Sequence, residues 1–114
     1  MRPSASCGFA VCAAVALGLL VESRIPRAAE RPVTHTVAID GTRFQPDDLA
    51  IAPGESVTWI NRDPFPHTVT ATAGTFDSKE IQPGESWTYK APKKGDLTYV
   101  CMLHPTMKGT LRVK

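Results

Sequence analysis

Cysteine is nearly absent from the body of this 114-residue chain. Cys7 and Cys12 lie in the first 29 residues, and only Cys101 lies beyond them. One thiol cannot close an internal bridge, so a disulfide framework is excluded for that part. Histidine is scarce as well: His35, His67 and His104 are the full set of 3. No stretch carries the 3.6-residue apolar stripe of an amphipathic helix. No basic run occurs either. Arg2, Arg24, Arg27 and Glu22 all precede residue 30, so the formal charge of +2 falls to about zero beyond it. Nothing in that balance favours a nucleic-acid partner.

The longest apolar run is "CGFAVCAAVALGLLV", Cys7 to Val21, preceded by Arg2. It falls short of the roughly 20 residues a bilayer span needs and suits the apolar centre of a signal peptide. The site of cleavage is weakly marked: "RAAE" and "VESR" both offer small residues, and neither is ideal. Residues 1–29 are therefore expected to be a signal peptide or an uncleaved N-terminal anchor, with one exported domain over 30–114. A lone cysteine in an oxidising compartment is either a buried apolar thiol or a metal ligand.

From Val33 onward the hydrophobic period is two. "VTHTVAID", "ESVTWIN", "HTVTATA", "ESWTYKA", "LTYVC" and "GTLRVK" alternate, and Asp40-Gly41, Pro53-Gly54, Ala73-Gly74, Pro83-Gly84 and Lys94-Gly95 separate them. Short strands between turns at about 8–12 residues predict an all-β antiparallel sandwich. Trp59, Trp87, Tyr89, Tyr99, Phe44 and Phe76 are its expected large core or near-core side chains. "IAPGESVTW" and "IQPGESWTY" repeat one pattern. They read as one Pro-Gly turn used twice to feed a strand, not as two related halves.

Chemistry concentrates in "YVCMLHPTMKG", Tyr99 to Gly109. Cys101 ends a strand and points inward with Leu97 and Tyr99. His104 and Met107 follow on a turn that Pro105 and Gly109 help to shape. The spacing C-x-x-H-x-x-M is not that of structural zinc, which takes four strong ligands. A thiolate, two imidazoles and a weak thioether instead make a copper site suited to electron transfer. The loop supplies three of those four groups. His67, braced by Pro64 and Pro66, is the better source of the second imidazole; His35 reads as an ordinary strand histidine.

These residues resemble the cupredoxins, and within them the amicyanins, from about Phe44 to Lys114. "FQPDDLAIAPGESVTWINRD" is similar to the strand-turn-strand before the first copper histidine, "PFPHTV" to the segment that carries it, and "YVCMLHPTMKGTLRVK" to the compact ligand loop and last strand. The resemblance implies a Greek-key β-sandwich of about eight strands. It implies one type 1 copper held by His67, Cys101, His104 and Met107, and a periplasmic role in one-electron transfer without catalysis. Three positions depart from the family: Thr68 replaces Asn, Met102 replaces Thr, and Val100 replaces His. The first two altered positions are those whose side chains help tie the ligand loop to the neighbouring strand.

Redox donor and acceptor proteins are the expected partners of a monomer. They would meet a transient apolar face around His104, formed by Pro64, Phe65, Pro66, Met102, Leu103 and Pro105. A membrane would be involved only if the N-terminal segment stays uncleaved. A copper carrier or copper-buffering protein using the same site is the alternative. An enzyme would need more histidines than the spare His35.

Overall fold

Alternating burial along each apolar run sets the strands, and the two inward faces meet as one core. The computed structural model describes Gly18 and residues 32–114. The expected leader or anchor, and its boundary at residue 30, lie outside the described residues. Among the described residues there are eight strands: β1 (Thr34–Ile39), β2 (Phe44–Gln45), β3 (Asp48–Ile51), β4 (Ser56–Asn61), β5 (Thr70–Ala71), β6 (Ser86–Lys90), β7 (Gly95–Val100) and β8 (Lys108–Val113). One sheet has the order β2-β1-β4-β6 and the other β3-β8-β7-β5. The chain crosses between them repeatedly, giving the Greek-key β-sandwich. Among the described residues no helix is long and apolar enough to cross a membrane.

The expected antiparallel arrangement needs correction. β1 pairs in parallel with β4, from Thr34↔Ser56 to Ile39↔Asn61, and β3 pairs in parallel with β8. After β1 the chain crosses to the second sheet for β3 and returns for β4, which then runs beside β1 in the same direction. A period of two is common to both pairings, so alternation cannot report direction.

Val37, Ile39, Val57 and Trp59 from the first sheet face Tyr99, Leu111 and Val113 from the second, all buried. The Trp59 ring lies 5.4 Å from Tyr99 at 84°, and 5.7 Å from Trp87. Each such large side chain contributes about 2–3 kcal/mol by leaving water. Trp87 and Tyr89 stack at 13° on edge strand β6, where they stay only half-buried. Burial pushes the Tyr99 phenol up to about 12, so its neutral form is the one the fold favours.

The repeated pattern makes the same turn at both ends of the sandwich. Glu55 N donates to Ala52 O at 3.1 Å and Glu85 N to Gln82 O at 2.9 Å. The glutamate side chains reach back to the N–H groups of Ala52 and Gln82. Gly54 and Gly84 take φ of 87° and 80°, the left-handed conformation such a turn demands.

Gly109 has a different role from the one expected of it. It lies in β8 opposite Tyr99, not in the turn. A Cβ at Gly109 would fall 2.2 Å from Tyr99 Cζ. The absent side chain is what lets the ring lie flat across the strand. Gly109→Ala should therefore destabilise the domain by about 2–3 kcal/mol through overpacking. Urea unfolding measures this; a loss under about 0.5 kcal/mol would mean the Tyr99 ring is not pinned there.

Candidate metal centre

At one end of the sandwich, Asn61 closes β4 on the buried face it shares with Val57 and Trp59. Its side chain is fully engaged. Nδ2 donates to Phe65 O and Ile81 O, both at 2.9 Å, and Oδ1 accepts from Asp63 N at 3.0 Å. One buried amide thus shapes the loop 62–66, in which Pro64 and Pro66 already restrict the backbone. His67 follows, and its backbone exchanges two hydrogen bonds with Ile81. Its ring is completely buried.

Cys101 leaves the end of β7, also with no exposure. The following loop folds back on itself: Cys101 N donates to Met107 O at 3.2 Å, and Met107 N donates to His104 O at 2.9 Å. His104, half-buried, therefore hangs over the cysteine. Cys101 Sγ lies 3.6 Å from His67 Nδ1 and 3.9 Å from His104 Nδ1. All three donor atoms fall within 4.8 Å of one another. Met107 is buried on the same turn. His35 sits apart on β1, with its Nε2 3.2 Å from Glu55 Oε1.

Two further residues support this arrangement: Asp63, which the sequence does not single out for that role, and Thr68, which the sequence marks as a departure from the family at the position of the tie. Asp63 is buried and places Oδ2 2.7 Å from His67 Nε2. Its two oxygens also accept from Gly41 N at 2.8 Å and Thr42 N at 2.9 Å, across the β1–β2 turn. A carboxylate on the far nitrogen fixes the ring orientation and keeps Nδ1 free for a metal. Burial works to raise the Asp63 pKa, but the N–H groups of Thr42 and Gly41 and the His67 ring outweigh it, leaving it lowered. Its stabilising effect is therefore present above the ordinary carboxylate range and lost as pH falls through the lowered value. A carboxylate four residues before a histidine was the available signal, but an exposed loop aspartate gives the same one.

Thr68 supplies the second support. Its N–H points at Cys101 Sγ at 3.3 Å, and its Oγ1 accepts from Met102 N at 2.8 Å. The tie between ligand loop and neighbouring strand therefore exists despite both departures from the family. It runs from a side chain on one partner to the backbone of the other, so the identity of Met102 does not matter to it. Thr70 Oγ1, 3.0 Å away, continues the chain to Asp77.

Two imidazoles and a buried thiolate suit a soft transition metal, and their number and spread do not suit a closed zinc site. Such a donor set at the end of this kind of sandwich defines the mononuclear copper proteins of all-β fold. The chain belongs to the cupredoxins: the family model described as a cupredoxin-like domain matches residues 10–113. Its cofactor is copper. Amicyanin-alpha of Methylorubrum extorquens is 30% identical over 97% of this chain and 94% of its own length. The solved Cu(I) form of an amicyanin variant superposes with a TM-score of 0.68 at 27% identity, over 71% of this chain and 82% of that one. A copper-containing nitrite reductase from Thermus scotoductus gives the same TM-score at 29% identity, over 73% of this chain. This chain spans only 23% of that enzyme.

Asp63→Ala would strand two backbone N–H groups and the far nitrogen of His67. The copper-free domain should lose about 3 kcal/mol in denaturant unfolding. An unchanged midpoint would show that Asp63 does not hold the histidine in solution.

Proposed function

We propose that this chain is an exported, periplasmic blue copper protein that shuttles single electrons between redox proteins, with His67, Cys101, His104 and Met107 holding one copper. The observation that carries the reading is the convergence of Cys101 Sγ on the Nδ1 atoms of both histidines, at 3.6 and 3.9 Å. When bound, copper supplies the one-electron Cu(II)/Cu(I) couple. The protein's part is to hold a trigonal set of donors that suits both oxidation states. Met107, on the same turn, is the weak fourth ligand. Asp63 and Thr68 resist rearrangement of that set as the charge changes. The Thr68 N–H also draws electron density from the Cys101 sulfur, which favours the reduced state.

His104 is the half-buried member and the natural point of electron entry and exit. Around it Phe65, Met102 and Leu103 expose 40%, 62% and 46% of their surface. Phe65 stands 5.7 Å from the His104 ring. We assign this collar as the transient docking face of a monomer. Complete burial of Cys101 weighs against a copper carrier, which needs an open site for hand-over. Reduction of a substrate would need a further metal centre, and His35 is the one histidine left for it.

The test of copper chemistry is the visible spectrum with Cu(II). An intense thiolate-to-copper band, bleached by reductant and absent in Cys101→Ala, is expected. Copper bound without that band would contradict the ligand assignment. For the docking face, Leu103→Asp should slow electron self-exchange about tenfold or more while leaving the band in place, because a charge is forced into a desolvated contact. Unchanged exchange would remove the collar from the account.

A further inference from the structure

The end of the sandwich opposite the metal centre carries a different chemistry. β1 enters there: Thr34 pairs with Ser56, and Ser56 with Lys90. β7 begins there at Gly95 opposite Val113. Four exposed lysines gather at this end: Lys90 at the close of β6, Lys93 and Lys94 in the β6–β7 turn, and Lys114 after β8. Among the described residues none of the four has an ion-pair partner. The nearby carboxylates are already engaged. Glu55 accepts from Ala52 N and meets His35, and Asp96 faces Arg112. The exposed carboxylates Asp40, Asp47, Glu80 and Glu85 lie toward the metal end instead. Arg43, Arg62 and Lys108 lie there as well, so charge of both signs mixes at the metal end, while the opposite end gathers lysines whose nearby described carboxylates are engaged.

The same end holds a shallow groove of about 130 Å³, walled by Tyr89, Pro92 and Leu97 and rimmed by Lys93 and Lys94. Half-buried aromatic carbon beside unpaired ammonium groups is the composition of a surface that meets a phospholipid interface. The direction of the chain agrees. The described chain enters the domain at this end, through Val33, whose carbonyl accepts from Ser56 N.

We infer that the lysine end, Lys90, Lys93, Lys94 and Lys114 with the Tyr89 groove, docks on an anionic phospholipid bilayer. Docked this way, the domain stands with its metal end and its apolar collar facing the aqueous phase. The lysines would then set the orientation whether or not the N-terminal segment is cleaved. Coulomb attraction to phosphate head groups supplies the grip, so it must weaken with salt.

The experiment is co-sedimentation of the copper-loaded protein, as the full chain and as residues 30–114, which hold the whole buried core of the described residues, with vesicles of neutral phosphatidylcholine or of phosphatidylcholine with about 30% phosphatidylglycerol. Binding to the anionic vesicles should be at least about tenfold stronger at low ionic strength and fall away near 0.5 M salt. Replacing all four lysines by glutamine should abolish that preference. Lys79→Gln with Lys108→Gln, outside this end, should leave most of it. An intact visible band in each variant reports folding. Equal, weak binding of the wild type to both vesicles would overturn the inference and leave the lysines to an acidic protein face. Full binding by the four-lysine variant would overturn it too.

Discussion

A thiol and two imidazole nitrogens within 4.8 Å of one another are a demanding thing to hold. Left to themselves such groups would turn away, hydrogen-bond to water or take up protons. The chain prevents this with hydrogen bonds that arrive from behind. Asp63 holds the rear of the His67 ring and is itself held by two N–H groups of the β1–β2 turn. Thr68 holds the cysteine loop through Met102 N and faces the sulfur with its own N–H. Asn61 holds the loop that carries Asp63. Each support rests on another, so the site is an extension of the core and not an attachment to it. The close contact of Tyr99 with Gly109 serves the same end. It fixes β7 against β8 directly beneath Cys101.

This dependence explains what was legible in the sequence. Alternation in the runs around Val37, Trp59, Val69, Trp87, Tyr99 and Leu111 located six of the eight strands, β5 included. β2 has two residues and β3 four, too few to show a period, so no pattern could separate them from turn. The parallel pairs were hidden because alternation carries no sense of direction. In the site, residue types that bind soft metal announce themselves by rarity: one cysteine beyond residue 29, three histidines. His67, Cys101 and His104 indeed come together. Residues that work through position do not announce themselves. Asp63 and Asn61 belong to common types, and only the fold brings them behind the ligands. The tie through Thr68 could not be read by likeness to the family, because its acceptor survives the change of residue and its donor is backbone.

The two ends of the sandwich differ in chemistry, which gives the molecule a direction. Apolar exposure is concentrated around His104, where Phe65, Met102 and Leu103 reach solvent. Four lysines without an ion-pair partner among the described residues gather at the other end. The longer strands β1, β4, β6, β7 and β8, of five or six residues, separate two surfaces with different physics. One forms a brief contact that excludes water, and the other a long-range, salt-sensitive attraction. The four lysines and the exposed Met102 and Leu103 serve neither the core nor the metal ligands, whereas Tyr89 and Leu97 also pack against the core. The lysines, Met102 and Leu103 can therefore change in evolution without disturbing the copper site.

The central claim is that the folded chain sets the geometry of the centre before copper enters. Crystal structures of the copper-free and Cu(II)-loaded protein at one pH test it most directly. The account predicts that His67, Cys101 and the Asp63 and Thr68 hydrogen bonds superpose within experimental error, with His104 adjusting at most by a ring rotation. A copper-free form in which the His67 ring leaves Asp63, or Cys101 turns away from Thr68 N, would contradict it. The metal, and not the hydrogen-bonded frame, would then be building the site.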